Sequence, residues 1–243
     1  MGLNAKELPS TNSGHRQEPL DAGTYPARLV QIIDLGLQKQ SPYKGEEKPP
    51  CNELYTTYEL LDEFCVDEDG NVEEDRPRWV SERYPFHSLE ADRARSTHRY
   101  MALDPDEEHE GDWTQLVATP CMINLTATEG KGKNANKVFN NIDGVSSMRT
   151  KDADKAEPLK NDPKIFSLDE PDMEIFMKLP KFLQDIIKDN LDYEGSDLEK
   201  AIANYKEPEE EKEEKKKPTK KKPVKKATKK VEEEKDEDDD GEW

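Results

Sequence analysis

Cysteine is scarce in this chain. Cys51, Cys65 and Cys121 are odd in number and widely spaced, and no CxxC pair occurs. That excludes a disulfide-stapled scaffold and reads as reduced thiols in a cytoplasm-like compartment. No apolar stretch approaches the ~20 residues that a membrane-spanning helix needs, and no secretory signal pattern is present. The four histidines, His15, His87, His98 and His109, make no metal-ligand spacing with one another or with the cysteines. GKGKN at Gly130 lacks the GxxxxGK[ST] spacing of a phosphate loop. DEDG at Asp67–Gly70 has Cys65 where a calcium loop needs a carboxylate, and Arg76 where it needs Glu. The many carboxylates offer no identifiable catalytic pair. These absences argue against an enzyme and against a metal or other cofactor.

Charge is abundant instead. Charged residues make up 38% of the 243, with a formal net charge of -19. The last 38 residues hold 13 Lys against 15 acids, so the rest of the chain carries -17 of that total. Non-specific affinity for nucleic acid comes mainly from Lys and Arg on phosphates. A DNA-binding reading therefore needs a locally basic surface, which clumping of acids in 62–75, 104–112 and 169–174 leaves room for. From Lys206 the hydrophobic content collapses. Lys212–Lys230 has eleven Lys against two Glu, and Val231–Trp243 has nine acids against one Lys. Such a tail cannot bury enough apolar surface to offset its ordering entropy and is expected to be disordered. Asp238, Asp239, Asp240, Glu242 and Trp243 combine an acidic tip with one aromatic anchor, a pattern suited to a basic pocket on a partner.

The organisation expected is a flexible 1–20, a β domain over 21–150, a helical extension over 151–205 and the charged tail over 206–243. Gly23–Leu37 alternates as a strand, with Tyr25, Ala27, Leu29, Ile33, Leu35 and Leu37 on one side. Further strands are expected at Glu53–Leu61, Arg78–Phe86, Leu116–Thr128 and Val138–Met148, the fourth absorbing the Asn124-Leu125-Thr126 sequon. Ser88 is a plausible N-cap for a helix running to about Leu103, and Asp104-Pro105 stops it. Three strands, a helix and two strands form the layout of a five-stranded OB-fold Greek-key barrel. The alternative is a small α+β sheet domain of other connectivity. In the extension, helices are expected around Met173–Met177 and Phe182–Leu191, and after the Ser196–Glu199 capping box, packed back on the barrel or making a homodimer contact.

OB-folds bind oligonucleotides through the loops joining strands 1–2 and 4–5 and through the face of strands 2–3. Here the first loop carries Lys39, Tyr43, Lys44 and Lys48, and the second carries Lys131, Lys133 and Lys137 among Gly130 and Gly132. Tyr55, Trp79 and Arg83 lie away from the apolar pattern of strands two and three, where bases could stack. Two other readings compete: Tyr55 and Trp79 could pack beneath the C-terminal helices, or the face assignment could be shifted by one residue. Arg93, Arg95, His98 and Arg99 read as a solvated helix face.

The stretches DAGTYPARLVQIIDLGLQ (21–38), YELLDEFCVDEDGNVEEDRPRWVSERYPFH (58–87), RYMALDP (99–105) and GDW (111–113) resemble single-stranded DNA-binding proteins of tailed bacteriophages. The resemblance covers roughly residues 20–200. It implies an OB-fold, sequence-independent binding of single-stranded DNA in phage replication and recombination, and a location in the cytoplasm of the bacterial host. The acidic, aromatic-ended tip resembles the tails of bacterial and phage single-strand binders, which recruit replication proteins. The lysine-rich block before it departs from that pattern. Two alternatives stay open: a strand-annealing factor, and an acidic inhibitor or DNA mimic that binds a host protein.

Overall fold

The computed structural model describes residues 17–135 and 137–205. The chain over these residues is mainly β. Its strands are β1 (Gly23–Gln38), β2 (Cys51–Val66), β3 (Val72–Pro85), β4 (Pro120–Glu129), β5 (Val138–Ser147) and β6 (Lys164–Phe166). Helix α1 (Arg95–Leu103) lies between β3 and β4. A short α2 (Thr150–Ala153) follows β5, and α3 (Met173–Lys178), α4 (Lys181–Lys188) and α5 (Asp197–Asn204) follow β6. The sheet order is β3-β2-β1-β4-β5, all antiparallel, and β6 adds to β1 in parallel. The extension is thus not wholly helical. Three residues of it complete the sheet, a strand too short to show periodicity in the sequence.

The sheet is open rather than closed into a barrel, with β3 and β5 as its edges. Arg99 of α1 is only 4% exposed and bridges those two edges. Its Nε and Nη2 donate to Glu82 of β3 at 2.8 and 3.1 Å, and Nη2 also donates to the carbonyls of Asp143 and Ile142 on β5 at 3.3 and 3.5 Å. The guanidinium thus ties the two edge strands together through a β3 carboxylate and two β5 carbonyls. Arg99 is therefore no part of a solvated helix face. Helix α1 also starts later than Ser88 suggests. Residues 88–94 form successive turns, and Ala94 takes the N-cap position.

Strand β1 departs from the single-face pattern. Register shifts between Leu29 and Gln31 and between Asp34 and Gly36 mark bulges. Each extra residue flips the alternation downstream. Ala27, Leu29 and Ile32 join one core with Leu54, Tyr58, Leu60, Tyr84 and Trp113, whereas Ile33 and Leu35 face the other way. They meet a second core built from Phe166, Phe176, Leu183, Ile187 and Leu198. Helices of six to eight residues are too short to persist alone, so this burial, roughly 1.5–3 kcal/mol per large apolar side chain, is what orders them. Ser196 caps α5 by accepting from Glu199 N at 3.1 Å.

Candidate nucleic-acid interface

Both registers on β2 are fixed by its neighbours. Leu54, Tyr58 and Leu60 point into the first core, which puts Glu53, Tyr55, Thr57 and Glu59 on the outer face of the sheet, where Glu53, Thr57 and Glu59 are buried and Tyr55 half-buried. On β3, Trp79, Ser81 and Arg83 share that face, with Tyr55 opposite Arg83, Thr57 opposite Ser81 and Glu59 opposite Trp79. Directly opposed residues have Cβ atoms ~5 Å apart, and four residues of strand span ~13 Å. Tyr55 with Arg83 and Trp79 with Glu59 are therefore two stations on one ribbon.

Each station is tied down. Trp79 is 38% exposed and its Nε1 donates to Glu59 Oε2 at 3.1 Å. The same carboxylate accepts from the Lys160 backbone N–H and from Asn161 Nδ2, both at 2.7 Å, so the extension braces Trp79 from below. Tyr55 is half-buried against the second core, its ring 6.1 Å from that of Phe182 on α4 and inclined 68° to it. Packing beneath the C-terminal helices thus applies to Tyr55 in part and leaves the Trp79 ring open. Arg83 Nε is ion-paired to Glu53, and Nη2 lies 3.5 Å from Gln38 Oε1. A guanidinium has five N–H donors, so others remain for an anion.

The β1–β2 loop leaves this face directly, since Gln40 Nε2 donates to Glu53 Oε1 at 2.8 Å. Within it, Tyr43 and Glu46 exchange backbone hydrogen bonds at 2.9 and 3.0 Å, and Lys44 and Gly45 both have positive φ. That is a tight primed turn. It projects Tyr43, 60% exposed, with the Lys44 and Lys48 ammonium groups 5.3 and 5.1 Å from its ring centroid. Lys39 is exposed at the base of the loop.

The second basic loop is not brought to the same place. The start of β1 pairs with β4, Gly23 opposite Leu125, whereas its end pairs with the start of β2, Gln38 opposite Cys51. Lys131 and Lys137, both exposed, therefore sit beyond the N-terminal end of β1, and Lys39, Tyr43 and Lys44 beyond its C-terminal end. The Lys133 side chain lies outside the described residues, as do Asp238, Asp239, Asp240, Glu242 and Trp243. A side chain at Gly130 would collide with the Asn134 carbonyl and with Phe139, so the loop itself requires glycine there. Phe182 carries no site signal in the sequence, where it simply opens the apolar run of an expected helix. Its 51% exposure beside Tyr55 is the signal that singles it out.

A cavity of about 950 Å³ between α1 and β5 contains none of these residues. Glu90, Asp92, Glu107 and Asp143 line it, which disfavours a polyanion there. Among the described residues no group of three or more His, Cys, Asp or Glu could hold a metal ion, and no helix is long and apolar enough to cross a membrane.

No protein-family model and no curated protein matches the chain.

Proposed function

We propose that this protein binds single-stranded DNA without sequence preference, in phage replication and recombination within the cytoplasm of a bacterial host. The observation that carries the reading is the outer face of β2–β3, where Tyr55, Trp79 and Arg83 share one ribbon next to a basic, aromatic-tipped loop. Aromatic faces accept any base, and cations track the backbone. Lys131 and Lys137 form a separate basic contact farther along a bound strand. The sheet order, with a helix between β3 and β4, supports an OB-type fold of the phage single-strand-binder kind, opened between β3 and β5. In this reading the C-terminal tip, with Asp238, Asp239, Asp240, Glu242 and Trp243, recruits replication proteins. Preferential binding to the unpaired form melts hairpins by mass action.

The test is fluorescence anisotropy of the full chain with an oligothymidylate, a mixed-sequence oligonucleotide and a duplex, across salt. Single strands should bind alike and more tightly than duplex, with a log–log salt slope of about -0.7 per phosphate neutralised. Equal affinity for duplex and single strand at every salt concentration refutes the proposal. Binding of neither favours the acidic-module reading, which the -17 carried outside the tail supports.

A further inference from the structure

Phe182 opens α4 one residue after Lys181, yet it is not on the buried side of that helix. Leu183 and Ile187 fill the second core, and Phe182 remains 51% exposed. Single exposed apolar residues are ordinary. This one belongs to a set. Its ring meets Tyr55 edge-on at 6.1 Å, Tyr55 lies opposite Arg83, and Met177 at the end of α3 is exposed too. Gln184 fixes the α3–α4 corner by donating to Leu179 O at 2.9 Å and Met177 O at 3.4 Å. Tyr55 is held from below by the second core and from the side by Phe182. With half of Phe182 exposed, part of its ring is left to solvent beside Tyr55. Arg83 lies opposite Tyr55, and the adjoining ends of α3 and α4 carry exposed Lys178 and Lys181, the latter ion-paired to Asp185.

We infer that Phe182 supplies a base-stacking platform, so that the DNA-binding surface is a composite of the sheet and the C-terminal extension. The occupant is an unpaired nucleobase of a single strand, stacked on Phe182 and flanked by Tyr55, its phosphate directed to Arg83. The inference rests on the single-strand reading above and adds a residue and an element to it. It gives the extension a direct part in binding beyond covering β1, and it lengthens the ribbon from Trp79 through Tyr55 to α4.

The experiment uses the full chain and an oligothymidylate carrying one 5-iodouracil, with ultraviolet crosslinking, tryptic mapping and anisotropy titrations. Phe182→Ala, Phe182→Leu and Phe182→Tyr are compared, each checked by circular dichroism. Leucine keeps apolar cover over Tyr55 without a π-face, and tyrosine keeps the face. Wild type should crosslink in the tryptic peptide 182–188. The Tyr variant should bind within about twofold of wild type, and the Ala and Leu variants should lose roughly 5- to 100-fold. If Phe182→Leu binds like wild type, or if no crosslink falls in 182–188 while the full chain binds, the inference is wrong and the single-strand reading stands. If the full chain binds no single strand, both fall.

Discussion

Replacing Arg99 with Met should destabilise the domain more than any substitution at its surface. Both side chains of the Arg99–Glu82 pair are about 5–6% exposed, and their contact is charge-assisted at 2.8 Å. Removing one partner of a buried pair strands the other, at a cost of about 3–5 kcal/mol. Arg95, 3.7 Å from Glu82, is 54% exposed and would offset little of this. The carbonyls of Ile142 and Asp143 lose a donor as well, so the edge of β5 should loosen from β3. For a domain of this size each kcal/mol shifts Tm by ~2–4 °C, which makes the expected loss about 6–20 °C. Urea unfolding and thermal melts of Arg99→Met, Glu82→Leu and the double variant form a cycle. The double variant should recover most of the loss, because an apolar pair of similar volume carries no desolvated charge. A single-variant cost below about 1 kcal/mol, or a double variant as unstable as the two singles summed, would show that the pair does not hold the gap.

Trp79→Ala, still folded by circular dichroism, should lose roughly 1–3 kcal/mol of oligonucleotide binding, and Arg95→Ala much less; anisotropy titration compares them. An acidic tip can compete with DNA for the protein's own basic surface, so deleting Val231–Trp243, which removes nine acids and one Lys, should raise DNA affinity, most at low salt; weaker binding would show that the tip does not compete. Burial alone would raise the Asp104 carboxyl, but the His109 and Glu108 N–H groups and the Tyr100 hydroxyl outweigh it and hold it below the usual range. Its contribution is therefore complete above the ordinary aspartate pKa of about 3.9 and is lost as pH falls through the lowered value. Urea midpoints should show Asp104→Asn costing stability at pH 7 and progressively less below pH ~4. Burial pushes the Cys121 thiol up to about 12 and, with Glu53, raises that of half-buried Cys51 as well, so iodoacetamide at pH 8 should label Cys65 first in the native protein, Cys51 more slowly, and Cys121 only after unfolding.

The centres of the strands were legible from alternation because sheet faces impose a period of two, but their ends were not: β4 begins at Pro120 rather than Leu116, which lies in a 3-10 turn, and β3 begins at Val72 rather than Arg78. Strand β2 kept that period from Leu54 to Leu60, which is why Tyr55 and Trp79 could be placed on the outer face from sequence. Strand β1 could not be read the same way. Its bulges insert single residues that leave no mark in composition, so Ile33 looked like a partner of Leu29 although it belongs to the opposite core. Arg99 read as a surface residue because its partner is seventeen positions away on another element. The separation of the two basic loops follows from strand register, a property of pairs that neither loop encodes. Phe182 and Tyr55 are far apart in the chain, and only the α4 packing joins them.

Strand β1 is a wall shared by two rooms, and synthesis builds that wall early. Ile33 and Leu35 leave the ribosome long before Phe166, Phe176 and Ile187, the residues that cover them. About 130–155 residues separate the two sets, and at ~5–20 residues per second the nascent chain displays that apolar face for roughly 7–30 s. The first core can assemble meanwhile, since β2–β5 are complete by Ser147. The half-made protein is therefore a formed sheet with one greasy side, the kind of species that chaperones hold. Fragments ending near residue 150 should behave as that intermediate does and aggregate, however well their own sheet is formed.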